Sequence, residues 1–69
     1  MEILAMRMKE LRKAAGFSQE QAAKELGIAM PTYCRYEYAQ REPSASTILA
    51  MARLYQVSAD YLLGLSDEK

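Results

Sequence analysis

Apolar residues recur along this chain at helical rather than strand spacing. Leu4, Met8, Leu11 and Ala15 repeat every three or four positions, with Arg7, Lys9, Glu10 and Lys13 between them, which predicts a first helix over residues 2–15. Gly16 supplies a natural stop. Ser18, with Gln21 three residues on, fits a capping box. A second helix follows to about Leu26, with Ala22, Ala23 and Leu26 on its inner face, and Gly27 closes it. A third helix is predicted from about Met30 to Tyr38, with Pro31 in the first turn, where a missing N–H costs little. Tyr33, Tyr36 and Glu37 share one face of it, and Pro31, Cys34, Arg35 and Tyr38 share the opposite one, with Met30 at the edge. Residues 39–43 form a polar loop ending at Pro43. Ser44 caps a fourth helix, about 45–55, whose inner face carries Ile48, Met51, Ala52 and Tyr55. Ser58 starts a short fifth helix, about 59–63, with Leu62 and Leu63 inward and Gly64 at its end. Residues 66–69 read as a frayed tail.

Composition supports the same picture. Eleven Ala residues stand against four Ile or Val, a balance that favours helix over strand. A chain of 69 residues holds one small domain, here 1–69 with a core over about 2–65. The fold class is therefore all-α, a compact five-helix bundle. At this size each large apolar side chain matters to stability.

Several function classes fall away. With no His and one Cys, a tetrahedral metal site has no ligand set, and no internal disulfide can form. A single thiol fits a reducing, cytoplasmic setting. The longest stretch without a charged residue, Pro43 to Ala52, is far short of the roughly 20 residues of a membrane span. The apolar run from Ile3 to Met6 stops at Arg7, too short for a signal peptide. There is no general-base His, no Gly-rich phosphate loop and no nucleophile elbow, so an enzyme is not expected, nor is a cofactor.

The chemistry lies between Gln19 and Tyr38, where two short helices are joined by a three- or four-residue turn. This is the pattern of a helix-turn-helix. Ala23 is small where the third helix crosses close to it, and Gly27 allows a backbone angle that a Cβ would resist. The third helix is left protruding, with a face able to enter a major groove.

At this point the chain resembles a known family. Phe17-Ser18-Gln19, Ala23, Leu26-Gly27-Ile28, Arg35-Tyr36-Glu37, Arg41-Glu42-Pro43-Ser44 and the run from Val57 to Gly64 together look like the Cro and phage-repressor type of helix-turn-helix, the XRE family. The resemblance spans about residues 6–65. It implies a five-helix fold and a transcriptional regulator that acts on double-stranded DNA, usually as a homodimer on a two-fold operator.

It also implies roles by position. Gln19, Thr32 and Arg41 correspond to phosphate contacts, and a helix start such as Gln19 attracts anions in its own right, while Tyr38, which departs from the family pattern, is expected against the DNA backbone from its place on the outer face. Met30, Pro31 and Arg35 correspond to residues facing base edges. Arg35 suits bidentate bonding to guanine O6 and N7. Met30 and Pro31 offer thymine methyl contact or merely shape the helix start. Arg12 and Glu37 correspond to a structural ion pair between the first and third helices. Ala59 and Tyr61 lie where related repressors make dimer contacts, although Tyr61 fits core packing equally well. Cys34 is on the groove side and reads as filler rather than a redox switch.

The departures from the pattern carry expectations too. Ala29 stands where the family favours a Ser cap. Ala22 replaces a usual Leu and Tyr33 a usual Ile or Val, which suggests that the ring fills the space left by the small side chain. Tyr38-Ala39 replaces a common Asn-Gly, which predicts a later helix end or a different cap.

Charge sharpens the choice between functions. The chain is formally neutral, whereas small DNA-binding domains are usually basic. Residues 1–59, however, hold 8 basic and 6 acidic groups, and residues 60–69 hold 1 basic and 3 acidic. If Glu37 is paired within the fold, its charge is not offered to DNA. The expected function is a sequence-specific DNA-binding transcriptional regulator with weak non-specific affinity. The alternative is a protein-interaction or antitoxin-like module on the same fold.

Overall fold

The structure, a computed structural model, describes all 69 residues. Five helices follow one another: α1 (Glu2–Ala14), α2 (Gln19–Leu26), α3 (Met30–Glu37), α4 (Ala45–Tyr55) and α5 (Ala59–Leu63). There is no strand. α1 packs against α3 and α5, α2 against α3 and α4, and α4 against α5. Every helix contributes to one core of Leu4, Met8, Leu11, Ala22, Ala23, Tyr33, Tyr36, Met51, Tyr61 and Leu62.

The helix starts follow from the side chains at their caps. Ser18 Oγ accepts from the Gln21 N–H while Gln21 Oε1 accepts from the Ser18 N–H, so the capping box of α2 is complete. Ser44 and Ser58 accept from the Thr47 and Tyr61 N–H groups in the same manner. α3 lacks this device. Ala29 makes no side-chain cap, and Pro31 in the first turn offsets part of the loss by removing one unpaired donor.

The helix ends share one solution. Each of Gly16, Gly27, Ala39, Gln56 and Gly64 follows a helix with φ between 55° and 83°. After α3, the Gln40 N–H reaches Arg35 O at 2.9 Å and the Ala39 N–H reaches Tyr36 O at 3.2 Å, which is a Schellman turn built without glycine. α3 therefore does not run on to Tyr38, and its closure keeps the ordinary left-handed form. The hydrogen bonds of the turn outweigh the steric cost of a Cβ at Ala39.

Four expectations need correction. The apolar stripe of α1 stops at Leu11, since Ala14 and Ala15 are exposed. Arg7 is buried on that stripe instead of facing solvent. The inner face of α5 carries Tyr61 and Leu62, with Leu63 only half-buried. The tail is not frayed. Arg7 donates through Nη1 to Tyr61 O, and again to Ser66 O at 2.7 Å, while Nη2 meets Asp67 Oδ1 at 2.8 Å. Its guanidinium also lies 4.1 Å from the centre of the Tyr61 ring. The last residues are thus tied to α1 by a single cation whose charge is answered by carbonyls, a carboxylate and a π-face.

Candidate nucleic-acid interface

α2 and α3 form the helix-turn-helix. The turn is set by Gly27 at φ 70°, with the Ile28 N–H bonded to Ala23 O at 3.0 Å and the Gly27 N–H to Lys24 O at 3.1 Å. Ala22 and Ala23 are buried at this crossing, as is Tyr33 from α3. Tyr33 and Ala22 are both fully enclosed and belong to the same core.

Burial of Tyr33, Tyr36 and Glu37 turns the other side of α3 outward. Pro31, Arg35 and Tyr38 follow at helical spacing on that side and are exposed, with Met30 exposed at the helix start. Thr32 and Cys34 are half-buried on its flanks. Met30 and Tyr38 present about half of their surface, at 46% and 59% exposure. Arg35, and Arg41 in the following loop, are exposed and belong to none of the three salt bridges of the chain. Their charge remains free for an external anion. The loop itself is tethered by the terminal amine, 3.3 Å from Glu42 Oε1.

Behind this face lies the acid that sequence alone would place in an awkward position. Arg12 Nε is 2.6 Å from Glu37 Oε2 and Arg12 Nη2 is 3.3 Å from Oε1, a two-pronged pair joining α1 to α3. Arg12 Nη1 also donates to Phe17 O at 2.9 Å. The Glu37 side chain is almost wholly enclosed, at 1% exposure. Burial pushes its carboxyl up, but Arg12, and after it the neighbouring Tyr33 and Gln19 groups, hold it below the usual carboxylate range. Its hydrogen bond raises Arg12 in turn. Burial raises Tyr33 and Tyr55, whose hydroxyls are enclosed, and the neighbouring Glu37 raises Tyr33 further. Glu37 is therefore an internal anion and presents no charge on the outer face of α3.

Gln19 stands at the start of α2, half-buried, and its amide is already engaged. Nε2 donates to Glu37 Oε1 at 3.2 Å, and Oε1 accepts from Cys34 Sγ at 3.5 Å. The structure thus gathers Arg12, Gln19, Cys34 and Glu37 into one hydrogen-bonded chain beneath the exposed face. It leaves Met30, Pro31, Arg35 and Arg41 outside that chain.

Two sets of contacts are not marked by the residue types that make them. The polarity of Arg7 predicts a surface residue, although its spacing of three and four from Leu4 and Leu11 marks the buried stripe. The contacts of Gln19 with Glu37 and Cys34 carry no sequence signal, because they join residues 15 and 18 positions apart. Of the two residues placed at a dimer contact, Tyr61 lies in the core at 7% exposure, while Ala59 is exposed.

Comparison with known proteins gives these residues a context. A family model described as helix-turn-helix matches residues 8–62. The HTH-type transcriptional regulator ImmR of Bacillus subtilis is 44% identical over 61 residues, covering 88% of this chain and 48% of ImmR. The uncharacterized HTH-type transcriptional regulator YobD of the same organism is 44% identical over 62 residues, covering 90% of this chain and 55% of YobD. This chain spans about half the length of these curated relatives. Among solved structures, the P22 c2 repressor in complex with synthetic operator 9T is similar with a TM-score of 0.82 at 26% identity, covering 90% of this chain and 94% of that chain.

Proposed function

The chain belongs to the Cro and phage-repressor type of the helix-turn-helix family, and from that membership we propose that it binds double-stranded DNA and regulates transcription. The observation that carries the reading is the outer face of α3. Its acid is turned inward onto Arg12, while Met30, Pro31 and the unpaired Arg35 are turned outward. A protruding helix of this composition suits a major groove, where Arg35 bonds a guanine edge and Met30 and Pro31 meet thymine methyls. Gln19, Thr32, Tyr38 and Arg41 hold the flanking phosphates. The likeness to a repressor solved with operator DNA supports this docking.

Two copies on a two-fold operator are the arrangement we favour. With one reading helix of 8 residues per domain, a single copy contacts too few bases for high specificity. Ala59 on α5 is available to a second copy, whereas Tyr61 supports that surface from beneath. No helix of the chain is long and apolar enough to cross a membrane, in keeping with a regulator working in the cytoplasm.

The reading is tested by binding to random duplex DNA across a salt series. Affinity is expected to fall as salt rises, with a shallow slope because the chain carries no net positive charge. A protein-interaction module, favoured to a degree by the exposed Met30 and Tyr38, would bind little duplex at any salt. Selection of bound sequences from a random pool would then give the operator.

A further inference from the structure

We propose that Glu37, besides bracing α1 against α3, is a positioning residue for the phosphate contact of Gln19, with Cys34 as its counterpart on the other side of the amide. The inference rests on the DNA-binding reading above and deepens it.

A primary amide on a free side chain turns readily, presenting its oxygen as often as its N–H groups. Only the N–H end attracts a phosphate. In this chain the choice is made in advance. The carboxylate of Glu37 takes one N–H from Gln19 Nε2 at 3.2 Å, and the Cys34 thiol donates to Oε1 at 3.5 Å. Reversing the amide would set its oxygen against the carboxylate and forfeit the bond from the thiol. Glu37 is in turn fixed by the two-pronged bond from Arg12. Nε2 keeps a second N–H, not used by Glu37, at the start of α2, where the backbone N–H groups of a first turn already favour an anion. The amide is thus ordered before DNA arrives, and the entropy of ordering it is not charged to the complex.

This role separates from mere bracing through a double-mutant cycle on random duplex DNA at one fixed salt concentration. Glu37→Gln leaves Arg12 without its acid, and the freed cation strengthens attraction to DNA whatever stands at position 19. That contribution cancels when Glu37→Gln is measured both with Gln19 and with Gln19→Ala. Positioning predicts that Glu37→Gln weakens binding about fivefold more in the presence of Gln19 than in its absence, the worth of about one net hydrogen bond. Additive effects overturn the inference while leaving the DNA-binding reading intact. Absence of duplex binding by the wild type overturns both.

A second measurement needs no DNA. The Gln19 side-chain amide of the free protein is expected to be more rigid in nitrogen relaxation than that of the exposed Gln40, and to lose that difference in Glu37→Gln. An amide as mobile as Gln40 in the wild type overturns the inference. If Glu37→Gln does not fold, the same cycle is run with Cys34→Ala and Cys34→Ser. Ala is expected to loosen the amide and weaken binding through Gln19, and Ser, which keeps a donor, to restore both. Equal behaviour of Ala and Ser overturns the role of Cys34 as a donor.

Discussion

Arg12 and Glu37 meet side-on across α1 and α3, with Nε 2.6 Å from Oε2 and Nη2 3.3 Å from Oε1. Both side chains are largely removed from water, at 11% and 1% exposure. Removing one partner leaves the other charge buried and unanswered. Arg12→Ala is expected to destabilise the fold by about 3–5 kcal/mol, measured by denaturant unfolding. An effect below about 1 kcal/mol would mean that solvent reaches the pair. The pair also sets an acid limb. The folded-state value of Glu37 is depressed, so its contribution is present above the unfolded value of about 4.3 and is lost as pH falls through the lower folded value. Stability is expected to decline below about pH 4.3, and Glu37→Gln to lose that part of the decline.

Arg7 makes a contrasting case, because its partners differ in burial. Arg7→Met keeps the apolar stem and leaves the carbonyls of Tyr61 and Ser66 without their donor. A loss of about 2–3 kcal/mol is expected. Asp67→Asn removes only a carboxylate that is 98% exposed and is expected to stay within about 0.5 kcal/mol of wild type. Amide exchange at Ser66 to Glu68 should quicken in the first variant and not in the second. Equal losses in both would assign the tail to the ion pair instead of the carbonyls.

The helix ends allow a gain as well as a loss. Ala39 holds φ 58°, a conformation that costs an L-residue roughly 1–2 kcal/mol. Ala39→Gly removes that cost and adds back less in unfolded-state entropy, so a stabilisation of about 0.5–1 kcal/mol is expected in a thermal melt. Gly64→Ala reverses the argument and adds a contact. A Cβ there would lie 3.1 Å from Ile3 Cγ1, whereas at Gly27 it would meet nothing within 4 Å. Gly64→Ala should therefore cost more than Gly27→Ala. The opposite order would show that Ile3 yields freely.

Ala22 and Tyr33 are both fully buried in the crossing of α2 with α3. Ala22→Leu alone overfills the site, at about 1–3 kcal/mol, and Tyr33→Ile alone leaves a void. Made together they are expected to offset one another, with a coupling of about 0.5–3 kcal/mol. Strict additivity would show that the two side chains do not share space.

Arg35 carries the prediction closest to function. Arg35→Ala is expected to relax base preference at one position in each half-site, with a loss of about 1–3 kcal/mol of discrimination. Arg41→Ala is expected to weaken binding to all sequences alike and to lower the salt slope by about 1. A selected-sequence profile unchanged by Arg35→Ala would move base readout elsewhere on α3.

Much of this was legible in the chain itself, because the deciding interactions are local. Ser18 with Gln21, Ser44, Ser58, Gly16, Gly27 and Gly64 mark helix ends through hydrogen bonds spanning three to five residues, so sequence order is enough to locate them. A period of 3.6 in the apolar residues locates most of the buried stripes, though it misplaces Arg7 on α1 and Leu63 on α5. The outward set on α3 could be named for the same reason, since burial of Tyr33, Tyr36 and Glu37 leaves Pro31, Arg35 and Tyr38 no other side. What only the tertiary structure decided are contacts between residues far apart in the chain. Arg7 reaches across 54 positions to α5 and 60 to the tail, and Gln19 reaches Glu37 and Cys34 across a helix crossing. Polarity marks such residues as exposed by default. A charge or an amide enters the interior only when a partner elsewhere in the fold is placed to meet it, and that placement follows from the packing of whole helices.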